Sequence, residues 1–343
     1  MITSKANLIN ITKTITPSMR YDFKEDYSSW RARAKDKLME LLGLPLVMPT
    51  SDDFKAEAPE YKNGMTYIRF TFRSEEGYYV PACLVKKTDL KGKAPLVICL
   101  QGHSTGMHIS LGEPKYPGDE ETIKGGRAFA LDAAKEGCVA IAVEQRYMGV
   151  MGYGGELGKP SCLADSNPVA AQANAALLIG RCAIGERVWD VMRTIDAALL
   201  HFGDMINEDE IICLGNSGGG TTTFYASCID ERIAISVPSC SVCTYEDSII
   251  ALYHCFCNYV PNIRKYFDMG DIGGLLAPRK LVLVCGKEDK IFPLPGVEKS
   301  FALIKGVYEA NADVNNCRLV VGNAGHQFYP DEAWPIIHEL LGK

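Results

Sequence analysis

The pentapeptide Gly215-Asn216-Ser217-Gly218-Gly219 constrains the fold more than any other stretch of the chain. It follows a strand-like run, Ile211–Leu214, and precedes a run of small residues that can begin a helix. A G-x-S-x-G motif between a strand and a helix predicts a sharp turn that lifts the serine hydroxyl above a sheet. Glycines leave room for the chain to double back, and the helix N-terminus supplies free backbone N–H groups. We therefore predict that Ser217 is a nucleophile.

Two further polar residues follow strand-like runs downstream, in the order that suits a serine nucleophile. Asp289 lies just past the run Lys280–Cys285, and His326 lies in a glycine-rich loop after the run Arg318–Val321. Because a serine hydroxyl needs a base to take its proton, His326 is the predicted base and Asp289 is predicted to orient it. Glu288 is the alternative acid. The same residues could instead be structural, as helix caps or as an ordinary loop histidine.

A loop after an earlier strand is predicted to stabilise the negative charge that develops when the serine attacks. The run Pro95–Leu100 is typical of a buried strand, and Gln101, Gly102 and His103 follow it. The backbone N–H of Gly218, directly after the nucleophile, is one predicted donor. The second donor is expected from His103, with Gln101 or Gly102 as alternatives. His103 could equally serve only to shape the loop.

Strand-like and helix-like segments alternate along most of the chain, which predicts an α/β fold with a mainly parallel sheet and helices on both faces. Residues 1–63 are predicted to form a helical N-terminal extension, and residues 64–343 the main domain. A hairpin over residues 65–85 is placed antiparallel at one edge of the sheet. Two long excursions leave the core, at about 144–185 and 239–277. The predicted site lies at the carboxyl ends of the strands.

The composition limits the partners and the compartment. The chain has 343 residues, with 36 Lys and Arg against 42 Asp and Glu and no basic run, so nucleic acid is not an expected partner. The segment Met1–Pro17 contains no apolar core of a secretory signal, and no apolar run approaches membrane-spanning length. There are 13 cysteines, and several lie within strand-like runs. We therefore expect small buried thiols in a reducing compartment, the cytoplasm.

Four cysteines lie close together in the second excursion: Cys240, Cys243, Cys255 and Cys257, with His254 beside the last two. Their C-x-x-C and C-x-C spacings do not match the common zinc patterns, and serine chemistry needs no metal. We therefore expect no metal and no cofactor. Lining a pocket or a lid is the favoured use of this segment.

Four residues of the excursions are candidates for substrate binding: Glu144, Arg146, Tyr147 and Tyr259. Glu144 and Arg146 follow a strand end and could bind a sugar or a carboxylate, although an internal Glu–Arg pair is an equal alternative. The two tyrosines could stack on a sugar or on an aryl group. Packing is the commoner fate of a tyrosine.

Several stretches together resemble the α/β-hydrolase superfamily, and within it the acetyl-xylan-esterase-like and dienelactone-hydrolase-like branch. Besides the 215–219 pentapeptide, they are Leu100-Gln101-Gly102-His103, Glu144-Gln145-Arg146-Tyr147, Gly185-Glu186-Arg187-Val188-Trp189-Asp190, and Ala277-Pro278-Arg279 leading to Gly286 and Asp289. The resemblance runs from about residue 64 to the end and implies a carboxylic ester hydrolase, often one that acts on acylated carbohydrates. Dienelactone hydrolases proper use a cysteine nucleophile, whereas position 217 is serine. That difference favours ordinary ester hydrolysis.

The predicted reaction is acyl transfer through an acyl-enzyme on Ser217, His326 and Asp289, with a small-molecule ester such as an acylated sugar as substrate. The alternatives are a peptidase or amidase on the same triad, and a catalytically idle fold used for binding. The sequence leaves open a homo-oligomer, the acyl group and the alcohol.

Overall fold

The computed structural model describes residues 2–152 and 168–343. Residues 153–167, part of the first predicted excursion, lie outside the described residues. The α-helices are, in chain order, α1 (Ser4–Thr14), α2 (Tyr27–Leu42), α3 (Asp119–Thr122), α4 (Phe129–Lys135), α5 (Pro168–Leu178), α6 (Ala183–Phe202), α7 (Gly218–Ile229), α8 (Ile263–Tyr266), α9 (Met269–Gly273), α10 (Leu294–Asn311) and α11 (Pro330–Leu340). The strands are β1 (Lys55–Ala56), β2 (Glu60–Lys62), β3 (Met65–Glu75), β4 (Tyr78–Lys87), β5 (Ala94–Leu100), β6 (Val139–Val143), β7 (Ile206–Asn216), β8 (Ile233–Ser239), β9 (Lys280–Gly286) and β10 (Cys317–Gly322).

These strands form one sheet, whose topology confirms the predicted fold class. The order is β1-β3-β4-β6-β5-β7-β8-β9-β10, and β2 also pairs with β3. From β6 to β10 every neighbouring pair is parallel. The predicted hairpin is β3 and β4, which lie toward the antiparallel edge. The carboxyl ends of the parallel strands therefore meet on one side, where Ser217, Asp289 and His326 follow β7, β9 and β10.

The central strands are buried on both faces because helices cover each side of the sheet. In β5, Leu96 and Ile98 belong to one hydrophobic cluster, whereas Val97 and Cys99 belong to another. This alternation follows from the two-residue period of a strand. Helices α2, α6, α7 and α10 contribute to the first cluster, and α4 and α11 to the second. The continuous apolar runs of the sequence are thus parallel strands buried on both sides.

The N-terminal extension contains the predicted helices but also adds to the sheet. Helix α2 buries four residues in the cluster that contains Leu96 and Ile98 of β5: Trp30, Ala34, Leu38 and Leu42. The segment after α2 supplies β1 and β2, which pair with β3. The helical extension expected from the sequence therefore also contains two short strands. These strands have two and three exposed residues, too few for a periodic pattern to reveal them. The domain boundary at residue 63 stays a prediction.

The described parts of both excursions contain short helices. In the first, α5 precedes α6, which begins at Ala183. In the second, α8 and α9 lie between β8 and β9. Among the described residues, none of the helices combines the length and the apolar character that crossing a bilayer requires.

Candidate active site

Ser217 lies on a strained turn between β7 and α7. Its φ of 56° and ψ of −121° are unusual for a residue with a side chain. The turn is held by two backbone hydrogen bonds, from Ser217 N to Ser239 O (2.9 Å) and from Thr221 N to Ser217 O (2.8 Å). A Cβ on Gly215 would lie 2.5 Å from Gly219 O, so the motif needs glycine there. The Ser217 side chain makes no capping hydrogen bond to α7, which leaves its hydroxyl available for chemistry.

Asp289 and His326 form an acid–base pair in the loops after β9 and β10. His326 Nδ1 donates to Asp289 Oδ2 at 2.8 Å. The other carboxylate oxygen, Oδ1, accepts from the backbone of Ile291 (2.8 Å) and Phe292 (3.1 Å). Burial opposes the charge of Asp289, but the hydrogen bond from His326 and those two amides outweigh it and lower the pKa of Asp289. The acid therefore stays ionised beside the imidazole, while Glu288 is exposed.

The turn that carries Ser217 and the loop that carries His326 are joined through Ser239, at the end of β8, and Cys240, which follows it. Ser239, whose carbonyl accepts from Ser217 N, also donates from Oγ to Gln327 O at 3.4 Å. Cys240 Sγ donates to the same carbonyl at 3.2 Å and lies within 4.8 Å of ligand atoms of both Asp289 and His326. Within the described ranges, Ser217 Oγ and His326 are not directly hydrogen bonded. Sequence reasoning missed Ser239 as a member of the site, although its place at the end of a central parallel strand was a usable signal.

The predicted oxyanion loop, residues 101–103, lies close to the turn that carries Ser217. A Cβ on Gly102 would lie 2.9 Å from Asn216 O and 3.0 Å from Ser217 Cβ. A Cβ on Gly218 would lie 2.9 Å from Cε1 of His103. The structure therefore brings Gly102, His103 and Gly218 together around Ser217. The side chain of Gln101 is buried and points away, because its Oε1 accepts from Ser110 Oγ at 3.4 Å.

Glu144 is buried and hydrogen bonds to the chain at both ends of the segment 101–107. It is 2% exposed, and its Oε2 accepts from the backbone N of Met107 at 3.2 Å. Burial raises the pKa of Glu144 to about 8. The carboxyl group is therefore mostly neutral at pH 7 and packs beside Gly106 and Gly149, where a Cβ would collide with it. This position differs from the substrate-binding role considered for Glu144.

Arg146 and Tyr147 belong to a buried ion-pair network. Arg146 donates to both oxygens of Asp190, at 2.7 and 2.9 Å, and pairs with Glu75 at 2.6 Å. The Tyr147 hydroxyl donates to Glu186. The pairing is thus with helix α6 and β3 rather than with Glu144, and it explains the sequence Gly185–Asp190. The substrate-binding roles of Arg146 and Tyr147 stay predictions.

The second excursion borders the site on two sides. His103 Nε2 lies 2.9 Å from Cys255 Sγ and 3.7 Å from Cys257 Sγ. On the other side, the His254 ring packs edge-on against Phe292, and Phe292 stacks on His326 with centroids 6.0 Å apart. Tyr259, the fourth substrate-binding candidate, is 40% exposed, and its hydroxyl donates to Ile249 O at 3.5 Å.

The pKa values of the two thiols in this segment are shifted in opposite directions. A hydrogen bond from Cys255 outweighs burial and lowers the pKa of Cys257 well below its usual range, with the charges of Arg187 and His103 acting in the same direction. The same bond raises the pKa of Cys255. The position of His103 near these cysteines was not foreseeable from spacing, because about 150 residues separate them in the sequence.

Comparisons with known proteins place this geometry in a known fold. No protein-family model matches the chain. A relative in Bacillus subtilis (strain 168), the putative hydrolase YtaP, is 26% identical over 300 residues, covering 86% of this chain and 94% of YtaP. A putative acetyl xylan esterase from Bacteroides fragilis NCTC 9343 superposes with a TM-score of 0.76 at 16% identity, over 94% of this chain and 82% of its own.

Two further solved structures are similar in fold. A glucuronoyl esterase from Solibacter usitatus matches with a TM-score of 0.69 at 14% identity, over 96% of this chain and 98% of its own. A putative dienelactone hydrolase from Klebsiella pneumoniae subsp. pneumoniae MGH 78578 matches with a TM-score of 0.52 at 17% identity, over 82% and 98%. The chain therefore has the α/β-hydrolase fold, and the predicted resemblance to acetyl-xylan-esterase-like and dienelactone-hydrolase-like proteins is confirmed.

Proposed function

We propose that this protein is a serine carboxylic ester hydrolase that removes small acyl groups from carbohydrates. One observation carries the proposal: an uncapped serine on a strained turn lies at the strand ends, where a partly buried Asp289–His326 pair also lies. Neither Ser217 nor Asp289 makes the helix-capping contact that the sequence offered as an alternative. Ser217 does not cap α7, and Asp289 lies four residues before Pro293, the N-cap of α10.

The reaction follows from the roles these atoms can take. Ser217 Oγ attacks the ester carbonyl while its proton passes to Nε2 of His326, whose Nδ1–H is held by Asp289. The carbonyl oxygen becomes negative and accepts from the N–H of Gly218 and from an N–H of the 101–103 loop. His326 then protonates the leaving alcohol. Water gives up a proton to the same imidazole and attacks the acyl-enzyme, which releases the acid and restores Ser217.

The surroundings of Ser217 favour a short acyl group. The Gly218 position is enclosed by His103 and by the Met148 methyl group, each 2.9 Å from where a Cβ would lie. Met148 is itself 2% exposed, so it has little freedom to move aside. The names of the structural neighbours, acetyl xylan esterase and glucuronoyl esterase, support a carbohydrate ester. We propose the cytoplasm as the location.

The first experiment is hydrolysis of aryl esters from acetate to octanoate by the wild type, by Ser217→Ala and by Ser300→Ala. Ser300 is buried on α10, and its hydroxyl has no hydrogen-bond partner among the described residues, so it is a matched control. We expect fastest turnover of acetate, loss of ~10⁴-fold or more in kcat for Ser217→Ala, and a wild-type rate for Ser300→Ala. Acetylated sugars are tested next.

Two results would contradict the proposal. Hydrolysis of anilides in preference to esters would indicate an amidase. Absence of turnover of every ester by the folded wild type, or equal rates for wild type and Ser217→Ala, would exclude the serine esterase.

A further inference from the structure

Three side chains that commonly bind metal ions, one imidazole and two thiols, meet beside the predicted oxyanion loop from two distant segments. The ligand atoms of His103, Cys255 and Cys257 all lie within 4.8 Å of one another. His103 comes from the loop after β5, and the two cysteines from the second excursion. The expectation of no metal rested on spacing around His254, which instead bonds Ser248 Oγ at 3.0 Å. The histidine that completes the cluster lies elsewhere in the sequence.

We propose that His103, Cys255 and Cys257 bind one thiophilic divalent cation, zinc first, and that the bound ion suppresses hydrolysis. The binding stands on the geometry of the cluster alone. The suppression rests on the proposed function, because it assumes that turnover occurs at Ser217.

The ligand set has the chemistry and nearly the dimensions of a zinc site. Two thiolates and an imidazole, with a fourth position left for water, are a known zinc arrangement. Bond lengths of about 2.3 Å to sulfur and about 2.0 Å to nitrogen require ligand atoms about 3.5–3.8 Å apart in a tetrahedron. Cys257 already lies 3.7 Å from His103 Nε2. Cys255, at 2.9 Å, must move outward by about 0.6 Å. Cys255 can make this small shift because its side chain is partly exposed and has room to move.

An ion can reach the cluster from solvent. His103 is exposed and Cys255 is of intermediate exposure, whereas Cys257 forms the buried end. The positive charge of Arg187 acts on both sulfur atoms. It repels a cation that the ligands do not neutralise, and thiolates bind Mg²⁺ and Ca²⁺ poorly in any case. The site should therefore select Zn²⁺ or Cd²⁺ over hard cations.

The proposed ion lies close to the reacting atoms. Atom Cε1 of His103, adjacent to the ligand atom Nε2, is 2.9 Å from the position of a Cβ on Gly218. An ion about 2 Å from Nε2 fixes the loop that is predicted to supply an oxyanion N–H. It also occupies space beside Gly218, where the acyl group is proposed to lie. Both effects lower turnover.

Binding is measured with Cd²⁺ alone, by its ultraviolet thiolate-to-metal charge-transfer absorption, under a reductant that does not chelate. The wild type should saturate at one equivalent. Cys255→Ser and Cys257→Ser should each weaken Cd²⁺ binding by at least ~100-fold. Removing a residue that only supports a ligand already weakens metal binding by up to ~100-fold, and these variants remove a ligand itself. Cys317→Ser, a buried thiol at the start of β10, is the matched control and should bind normally. Unchanged saturation by the Cys255→Ser/Cys257→Ser double variant would overturn the proposal.

Two further variants keep the result interpretable. His103→Ala changes an exposed side chain, so it tests the third ligand even if a cysteine variant fails to fold, and normal Cd²⁺ affinity there would remove His103 from the site. Ser217→Ala should bind Cd²⁺ like the wild type, which separates this proposal from the esterase proposal. In the esterase assay Zn²⁺ should inhibit the wild type but not Cys255→Ser, and Mg²⁺ should inhibit neither. Equal zinc inhibition of both proteins would refute the inhibitory role.

Discussion

Replacement of Asp289 by asparagine tests the feature on which the proposed chemistry depends, the position of the proton on His326. In the wild type, Oδ1 of Asp289 accepts from the backbone of Ile291 and Phe292, and Oδ2 accepts from His326 Nδ1 at 2.8 Å. The asparagine oxygen must keep the two backbone donors, so its NH₂ group faces Nδ1. Two donors cannot share a hydrogen bond. The ring proton therefore moves to Nε2, the atom that must accept the proton of Ser217.

The size of the effect follows from this wrong tautomer. The same exchange in a serine protease triad lowers kcat by about 10⁴-fold with the geometry intact. We expect a loss of ~10³–10⁴-fold here, or ~4–5.5 kcal/mol of transition-state stabilisation. KM should change little, because Asp289 is buried behind His326 and does not reach the substrate side. Turning the asparagine around would restore the tautomer but would leave two backbone N–H groups facing an NH₂, a cost of ~1–3 kcal/mol for each buried donor.

The assay is steady-state hydrolysis of the best aryl ester across pH 5–9, with Glu288→Gln as the control. Glu288 is the adjacent, exposed carboxylate, so its variant should keep the wild-type rate. A kcat for Asp289→Asn within about tenfold of wild type would refute the tautomer argument. Loss of activity in Glu288→Gln instead would show that the acid had been assigned to the wrong residue.

Three other perturbations test the surroundings of the site. Burial raises the pKa of Glu144 from 4.5 to about 8, so the unfolded chain releases a proton that the native state keeps, and this contribution to stability is lost as pH rises through that window. Glu144→Gln should therefore gain stability over wild type between pH 5 and pH 8, by at most ~5 kcal/mol in urea unfolding; an unchanged difference would contradict a neutral carboxyl. Leu38→Ala should cost ~2–5 kcal/mol in one cooperative transition, because Leu38 is fully buried in the main core; separate unfolding of residues 1–63 would contradict it. Gly102→Ala should lower kcat ~10–100-fold, because its methyl group would lie 3.0 Å from Ser217 Cβ, whereas Gly203→Ala, in open space, should not.

The fold could be predicted where burial leaves a pattern in the sequence. Strands such as β5 and β9 are buried on both faces, so they appear as unbroken apolar runs with turn residues after them. Strands β1 and β2 could not be predicted, because their exposed residues gain their place only by hydrogen bonding to β3. Local sequence carries no record of such pairing.

The candidate site was predictable to the extent that it follows strand ends. Ser217, Asp289 and His326 follow their strands by one, three and four residues, and the parallel order brings such positions to the same edge of the sheet. Glu144 and Arg146 also follow a strand, yet both turn into the protein interior. The sequence could not predict this inward orientation, because it depends on buried hydrogen-bond partners that come from other parts of the chain. For Arg146 the partner is Asp190, and for Glu144 it is the backbone N–H of Met107.

One segment, the excursion at 239–277, ties the two halves of the site together. Cys255 and Cys257 contact His103 on the side of the oxyanion loop, while His254 packs on Phe292, which stacks on His326. The predicted reacting groups come from loops whose positions the parallel register of the sheet fixes. The sheet therefore positions the predicted catalytic residues, whereas the excursion limits the space that is available to a substrate. Because that excursion also supplies both thiols of the proposed metal site, a bound ion and a bound acyl group draw on the same side of the pocket, and each should exclude the other.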